Sequence, residues 1–253
     1  MNFFLIFSIF ITFVNSRELP CQISFGIFCK VIGEDLYNET NVSFDVADLS
    51  HRDITTLTLI ACKMNDVPRG IFESFSNLSN LVLRENELTE WKGEYLVGAD
   101  KLQFLYVTEN LITHLNEDAF ENAVNLRVIA FTHNKIVQIA PEAFAGLSYL
   151  EDLQLNRNQL AKNLQANLFN EISFVLKRLN LADNEIEEFP HGFFAGFRDL
   201  YELNIKGNKF KEIDVKKLPG SLTKLEVGKL RQIEEGSFGM CITRLSLKEN
   251  LSV

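Results

Sequence analysis

The stretch Leu78-Ser-Asn-Leu-Val-Leu-Arg-Glu-Asn86 decides the fold, because its spacing of leucines and asparagine recurs along most of the chain. Successive segments are 20 to 26 residues apart, and most of the steps are 24 residues. They begin at Ile54, Leu78, Leu102, Leu126, Leu150, Leu176, Leu200, Leu222 and Ile242. Self-similarity at a fixed period predicts a repeat architecture, in which each coil buries its apolar face only by stacking on its neighbours.

The leucines and the asparagine of each segment predict different parts of a coil. The alternating Leu81 and Leu83 indicate a short strand with one buried face. The asparagine can satisfy backbone groups where the chain leaves the strand, because an amide both donates and accepts hydrogen bonds. Stacked coils are therefore predicted to form a buried ladder, in which Cys62 holds the first site and Leu230 departs from the pattern. The ladder asparagines are Asn86, Asn110, Asn134, Asn158, Asn184, Asn208 and Asn250.

Further apolar residues at fixed offsets predict the rest of the core. Two apolar rungs follow each ladder site, as at Leu88 and Trp91 in the second segment. A phenylalanine then anchors the outer side of most coils, which explains why the chain contains 22 phenylalanines. The predicted outer anchors are Phe72, Phe120, Phe144, Phe169, Phe194 and Phe238.

These motifs match the signature L-x-x-L-x-L-x-x-N/C-x-L, and the chain resembles the extracellular leucine-rich-repeat superfamily of animal secreted proteins and receptor ectodomains. The resemblance covers about residues 54 to 250. It implies an α/β solenoid, a horseshoe with a parallel β-sheet on its concave side and loops or short helical turns on its convex side. The superfamily serves adhesion, innate immunity, signalling and enzyme inhibition, so the resemblance alone does not select a function.

The N-terminal residues predict export. The run from Phe3 to Val14 is apolar except for two residues, and Ser16 suits a cleavage site before Arg17, so residues 1–16 are predicted to be a signal peptide. A transmembrane anchor is the alternative, but it needs roughly 20 apolar residues. We expect no transmembrane anchor and a secreted, extracellular protein. Residues 17–53 would form an N-terminal cap, and residues 54–253 a solenoid of about nine repeats with the last incomplete.

The cysteines divide into two pairs. Caps of the superfamily often carry four cysteines; this cap carries Cys21 and Cys29, and a disulfide between them would pin it. The cap also alternates like an edge strand near residues 44–46. Cys62 and Cys241 fall on core positions about eight coils apart, so we expect both to be buried thiols.

Four segments match the acceptor pattern for N-glycosylation, which matters only in a secreted protein. They begin at Asn38, Asn41, Asn77 and Asn250. We expect glycans at Asn38, Asn41 and Asn77. Asn250 occupies the ladder site, so we expect less modification there.

The sequence carries no pattern of site chemistry, and it predicts neither an enzyme nor a metal or cofactor site. The histidines fall in different repeats and at different repeat positions: His51, His114, His133 and His191. The formal net charge is −9 and no dense Lys/Arg block occurs, so nucleic acid is not an expected partner.

Residues between the strand leucines are expected to face away from the core and line the concave sheet. The N-terminal half of that face is apolar and aromatic, whereas the C-terminal half is polar with mixed charge. Clustered aromatic residues are interface candidates. The alternative is that these aromatics pack on each other or under a glycan. The predicted ligand-binding residues are Val82, Arg84, Phe104, Tyr106, Thr108 and Val128.

The sequence therefore predicts a secreted binding protein that recognises a macromolecule, in the first place a protein, through its concave face. A role in innate immunity or adhesion is an analogy with the superfamily. The alternatives are a truncated ectodomain of a membrane receptor and a secreted enzyme inhibitor. Association of two leucine-rich-repeat chains into a dimer also stays open.

Overall fold

The structure is a computed structural model that describes residues 8–13, 16–24, 28–33, 54–161, 164–228 and 244–246. Its main element is a sheet of twelve strands, to which each repeat contributes one short strand. The strands of this sheet are β1 (Ser8–Phe13), β2 (Ser16–Ser24), β3 (Phe28–Ile32), β4 (Thr56–Ile60), β5 (Asn80–Arg84), β6 (Phe104–Tyr106), β8 (Val128–Ala130), β10 (Asp152–Gln154), β11 (Arg178–Asn180), β12 (Glu202–Asn204), β13 (Lys224–Glu226) and β14 (Arg244–Ser246). Two further strands, β7 (His114–Leu115) and β9 (Gln138–Ile139), pair with each other.

The sheet follows the order of the chain, and its strands are parallel from β3 onward. Equivalent repeat positions lie side by side, since Leu81 pairs with Leu57 on one side and Leu105 on the other. The described helical elements are short: α1 (Ile71–Ser74) and two 3-10 turns, Gly93–Leu96 and Val215–Lys217. The predicted solenoid with a parallel sheet is confirmed, and it contains little helix.

The N-terminal cap continues the sheet. β3 runs parallel to β4 in the register of the repeats, and its Val31, which pairs with Leu59, is fully buried. The edge strand predicted near residues 44–46 lies outside the described residues, and Phe28–Ile32 is the strand that flanks the first repeat. β2 pairs antiparallel with β3 and with β1. β1 falls within the predicted signal peptide, whose removal stays a prediction.

The asparagine ladder is confirmed, and each amide ties neighbouring coils together. Asn110 accepts the backbone N–H of Leu88 at 3.3 Å, and its Nδ2 donates to the carbonyl of Leu83 at 2.9 Å. Cys62, at the ladder site of the first repeat, is fully buried, and its N–H donates to Oδ1 of Asn86 at 2.9 Å. Asn250 lies outside the described residues. Equivalent bonds are made by Asn86, Asn134, Asn158, Asn184 and Asn208.

The predicted phenylalanine anchors form a stack through the convex half of the core. Phe120 and Phe144 stack with ring centroids 5.6 Å apart, and Phe169 continues the row at 5.8 Å from Phe144. Trp91 joins its N-terminal end, where the indole N–H donates to the carbonyl of Ala119 at 2.9 Å. The anchors Phe72, Phe120, Phe144, Phe169 and Phe194 are buried. Phe238 and Cys241 lie outside the described residues.

One backbone feature recurs after the strand in each of the first six repeats. The residue immediately before each ladder site from Cys62 to Asn184 has a left-handed backbone, although it varies in type. Its N–H donates to a carbonyl of the next coil, as Glu85 does to Thr108 at 3.1 Å and Arg157 does to Ala182 at 2.8 Å. We call these residues the left-handed column; they are Ala61, Glu85, Glu109, His133, Arg157 and Asp183, with φ between 52° and 57°.

None of the helical elements in the described part of the chain is long and apolar enough to cross a membrane.

Candidate functional site

The predicted aromatic residues lie together on the concave face of three neighbouring strands, β5, β6 and β8. Val82 pairs with Tyr106, and Phe104 pairs with Val128, so the four residues occupy two adjacent rungs of the sheet. Each of the four is half-buried. Neighbouring strands lie roughly 5 Å apart, which makes the four one continuous surface. We call Val82, Phe104, Tyr106 and Val128 the aromatic patch.

The aromatic patch has few charged neighbours on its own strands and on β4, and it borders Asp152 of β10, which pairs with Val128. Threonines and small residues flank it, because Thr58 pairs with Val82 and the buried Ala130 pairs with Tyr106. The strands β4, β5, β6 and β8 carry one charged residue, Arg84.

The two polar residues predicted to border the patch sit at its C-terminal margin. Arg84 is exposed, and its guanidinium binds Glu85 at 2.8 Å and Glu109 at 3.1 Å. Thr108 is half-buried, and its carbonyl oxygen accepts a hydrogen bond from the ladder residue Asn110 at 3.0 Å. The guanidinium of Arg84 is thus oriented by ion pairs with two glutamates of the left-handed column, and not by contacts with the aromatic patch.

Asn80 adds a polar group that the sequence analysis did not select for the site. It pairs with Phe104, and its Nδ2 donates to Oγ1 of Thr56 at 3.0 Å. Its Oδ1 is buried and makes no hydrogen bond within the described part of the chain. The sequence did contain a signal that could have identified Asn80 as part of the site: its amide occupies an outward strand position beside an aromatic residue.

Tyr106 lies near the polar half of the concave face, close enough for the charge of Asp152 to act on its hydroxyl. Burial raises the pKa of its hydroxyl, and the negative charge of Asp152 raises it further. The phenol is therefore protonated at neutral pH and able to donate a hydrogen bond to a ligand.

The charged residues on strands β10 to β13, in the C-terminal half of the concave face, pair with one another. Asp152 lies on the concave side, as its position between strand leucines predicts, but only 7% of it is exposed. The guanidinium of Arg178 covers its carboxylate with a 2.8 Å hydrogen bond, and Gln154 donates to the same carboxylate at 3.0 Å. Arg178 also donates to the hydroxyl of Tyr201 at 2.8 Å. The hydrogen bond to Asp152 is the main reason why the pKa of Arg178 is raised.

The pairing continues on the next strands. Lys224 binds Glu202 and, at 3.1 Å, Glu226, and these bonds raise the pKa of the lysine. Asn204 donates to Glu226 at 2.9 Å. A ligand that used these charges would have to break existing bonds, whereas the aromatic patch imposes no such cost.

The remaining predicted sites are placed as follows. Cys21 lies on β2 and Cys29 on β3, where Cys29 pairs with Ile23, so the two cysteines are offset by two positions on adjacent strands. Their disulfide stays a prediction. Asn77 lies in the turn before β5, and its Oδ1 accepts a hydrogen bond from Lys101. Asn38 and Asn41 lie outside the described residues.

A recess of about 490 Å³ on the outer side of the C-terminal repeats was not predicted from the sequence. Its floor includes Phe189, Phe194 and Phe210, and its rim includes Glu188 and Glu212. The step from the segment at 200 to that at 222 is two residues shorter than most, so this coil has less chain with which to cover the phenylalanines. The short step was the signal available in the sequence.

The repeated strand, the asparagine ladder and the parallel sheet define a leucine-rich-repeat solenoid. A family model described as leucine rich repeat matches residues 100–160. A second model, the BspA type leucine rich repeat region (6 copies), matches residues 47–127. The chain is a leucine-rich-repeat protein. A comparison with curated proteins found no significant match.

Solved structures include many similar chains. One is a chain of the TLR13-ssRNA13 complex, which has the leucine-rich-repeat horseshoe. It is 26% identical, with a TM-score of 0.68, and the match covers 81% of this chain. The match spans 28% of the TLR13 chain, so the present chain corresponds to little more than a quarter of that protein's length.

Proposed function

We propose that this chain is a secreted, non-enzymatic binding protein that recognises a macromolecular ligand, in the first place a protein, through the aromatic patch. The contrast between the two halves of the concave face carries the proposal. The N-terminal half presents half-buried apolar and aromatic side chains, and its charged neighbours are Arg84 on β5 and Asp152, which pairs with Val128. In the C-terminal half, the charged residues on strands β10 to β13 already pair with one another.

The chemistry of the aromatic patch suits a protein ligand. Phenylalanine and tyrosine bury a large area on binding and carry much of the energy at the centre of protein interfaces. The strands that carry the patch hold a single charged residue, Arg84, so a partner that covers the patch removes few ions from water. Tyr106 supplies a hydrogen-bond donor within the apolar surface, which would fix the orientation of the partner.

Single-stranded RNA is the second candidate ligand, because the TLR13 chain was solved in a complex with ssRNA13. Aromatic side chains can stack on unpaired bases. Affinity for nucleic acid, however, depends on neutralising phosphates with lysine and arginine. The net charge of −9 and the presence of one basic residue, Arg84, on the strands that carry the patch favour a protein.

The similarity to TLR13 supports recognition in innate immunity as the biological setting, with adhesion as the alternative. A fragment of a longer receptor ectodomain and a secreted enzyme inhibitor are the alternative proposals. A transcript that extends past Val253 would favour the receptor, and co-purification with one hydrolase would favour the inhibitor.

The double variant Phe104→Ala, Tyr106→Ala tests the proposal. The tagged mature chain is first used to capture its partner from extracellular fluid, and the affinity of the variant for that partner is then measured. We expect a loss of about thirtyfold or more, which corresponds to about 2 kcal/mol at an interface hot spot. The melting temperature should hardly change, because both side chains lie outside the leucine core.

The control replaces two exposed apolar residues that lie outside the concave face, Val97→Ala and Val137→Ala. Unchanged affinity in the patch variant, with the fold intact, would place the binding site elsewhere. An early melting transition would make the patch structural. Partner capture that ribonuclease abolishes would replace the protein ligand with RNA.

Export is tested separately. N-terminal sequencing of material secreted by eukaryotic cells should begin at Arg17. A retained Met1 on an extracellular product would contradict the proposed signal peptide.

A further inference from the structure

A second surface of the solenoid exposes aromatic side chains on successive coils. Tyr149 is 54% exposed, Phe174 is 51% exposed and Tyr201 is 37% exposed, and the neighbouring Val124 is 46% exposed. All four lie within two residues of a segment start, at the edge where the chain enters the concave sheet. Single exposed apolar residues are common on proteins, but a contiguous series marks an interaction surface.

A row of mostly charged residues runs beside these side chains. Arg127, Glu151, Lys177 and Tyr201 immediately precede β8, β10, β11 and β12, and we call them the pre-strand row. The N–H of Glu151 donates to the carbonyl of Arg127 at 2.9 Å, and that of Lys177 donates to Glu151 at 2.9 Å. Tyr201 donates to Lys177 at 3.0 Å. These bonds hold the four residues side by side, at about the 5 Å spacing of strands.

The charges of the row are accessible. The side chains of Arg127, Glu151 and Lys177 are 47%, 34% and 41% exposed. Glu151 contacts Arg127 at 3.4 Å and Lys177 at 3.1 Å. The guanidinium of Arg127 also lies 6.0 Å from the ring centre of Tyr149. Surface ion pairs of this kind contribute little to stability, so the same charges can take partners on another molecule at little cost.

The order of the row makes it complementary to itself. Consider two copies of the chain related by a twofold axis that passes between Glu151 and Lys177. The rows of the two copies then lie face to face and run in opposite directions. Glu151 of each copy then faces Lys177 of the other, and Arg127 faces Tyr201. The axis also keeps equivalent edges together, so Tyr149 and Phe174 of both copies meet in the centre. Such a same-to-same contact is the usual arrangement of a symmetric dimer.

We propose that the pre-strand row, with Val124, Tyr149 and Phe174, is the surface through which two copies of this chain associate antiparallel about a twofold axis. The partner is a second copy because the charges match only when the row is reversed. A strand of phosphates would meet the carboxylate of Glu151 at its centre. This surface shares no residue with the aromatic patch, and the variants that test it leave the patch intact, so the two proposals can fail independently.

Charge reversal tests the pairing by sedimentation equilibrium of the full chain. The wild type should show a concentration-dependent equilibrium between monomer and dimer. Glu151→Lys and Lys177→Glu should each weaken the homodimer roughly tenfold or more, because each replaces two attractive pairs with two repulsive ones. An equimolar mixture of the two variants should associate again, since both contacts are then attractive. The combined variant E151K/K177E should also form a homodimer.

The controls separate association from folding. Val137→Ser removes an apolar side chain that is 40% exposed outside this surface and should leave association unchanged. Tyr149→Ser with Phe174→Ser should give a monomer with an unchanged melting temperature. A wild type that stays monomeric overturns the proposal, as does a mixture of the charge variants that fails to associate. Binding of a single-stranded RNA oligonucleotide in place of self-association, lost in the Tyr149→Ser, Phe174→Ser variant, would overturn it in favour of nucleic acid.

Discussion

The side-chain amide of Asn134 donates a 2.8 Å hydrogen bond to the carbonyl oxygen of Val107, which lies one coil earlier. Its Oδ1 accepts the N–H of Ile112 at 3.2 Å. Asn134→Leu leaves both backbone groups buried without a partner, so it should lower the free energy of unfolding by roughly 1–3 kcal/mol. Asn156→Leu is the control, because Asn156 is half-buried on the concave side and its Oδ1 makes no hydrogen bond in the described structure. Equal urea midpoints for the two variants would contradict the structural role of the ladder.

Gly93 opens the 3-10 turn of the second repeat, where another coil approaches closely. A Cβ atom at this position would lie 2.0 Å from the backbone carbonyl oxygen of Asp118. Gly93→Ala should therefore cost about 1–3 kcal/mol through displaced backbone. Gly220→Ala is the matched control, since nothing lies within 4 Å of a Cβ there. Thermal unfolding of both variants checks this prediction, and a stable Gly93→Ala variant would contradict it.

Tyr95 makes stability depend on alkaline pH. Burial raises the pKa of its hydroxyl, and Asp66 contributes further. In the unfolded chain the phenol ionises near pH 10. Below pH 10 the contribution of Tyr95 to the free energy of unfolding is fully present. Above pH 10 the free energy of unfolding falls by up to about 1.4 kcal/mol per pH unit, because only the unfolded state loses the proton. Urea titrations at several alkaline pH values should show a shallower decline for Tyr95→Phe than for the wild type. The exposed Tyr149 provides the control Tyr149→Phe, and an identical decline in both variants would contradict the prediction.

Asn77 should carry a glycan when the chain passes through a eukaryotic secretory system. The residue lies in the turn before β5, and its hydrogen bond to Lys101 is exposed and easily replaced by water. Glycopeptide mass spectrometry should find Asn77 occupied, together with Asn38 and Asn41. Asn77→Gln should remove one glycan mass without unfolding the protein. Occupancy at Asn250 with the other three bare would reverse the prediction.

The sequence predicted the ladder and the core because each coil repeats the same contacts at the same offsets. The left-handed column escaped prediction, since Ala61, Glu85, His133 and Arg157 share no residue preference. The hydrogen bond from each N–H to the next coil favours the left-handed conformation. That conformation costs roughly 1–2 kcal/mol for a residue other than glycine, and the contacts between stacked coils offset this cost.

The burial of Asp152 also could not be predicted from the sequence. Its position predicted an outward side chain, and that direction is correct. The cover, however, comes from Arg178, 26 residues later, and only the stacking of two coils brings the pair together. The aromatic patch was predictable because its members alternate within single strands, whereas the pre-strand row needs the lateral register of four strands to become visible.

The ladder amides and the N–H groups of the left-handed column reach from one coil to its immediate neighbour. A tensile force on the C-terminal end therefore meets one boundary between coils at a time. The molecule should yield in discrete events, each of which releases about 24 residues. An extended chain of that length spans about 80 Å, so single-molecule extension should record a staircase of nearly equal steps. Under load the protein would then lengthen one coil at a time, while the coils that have not yet unfolded keep their structure.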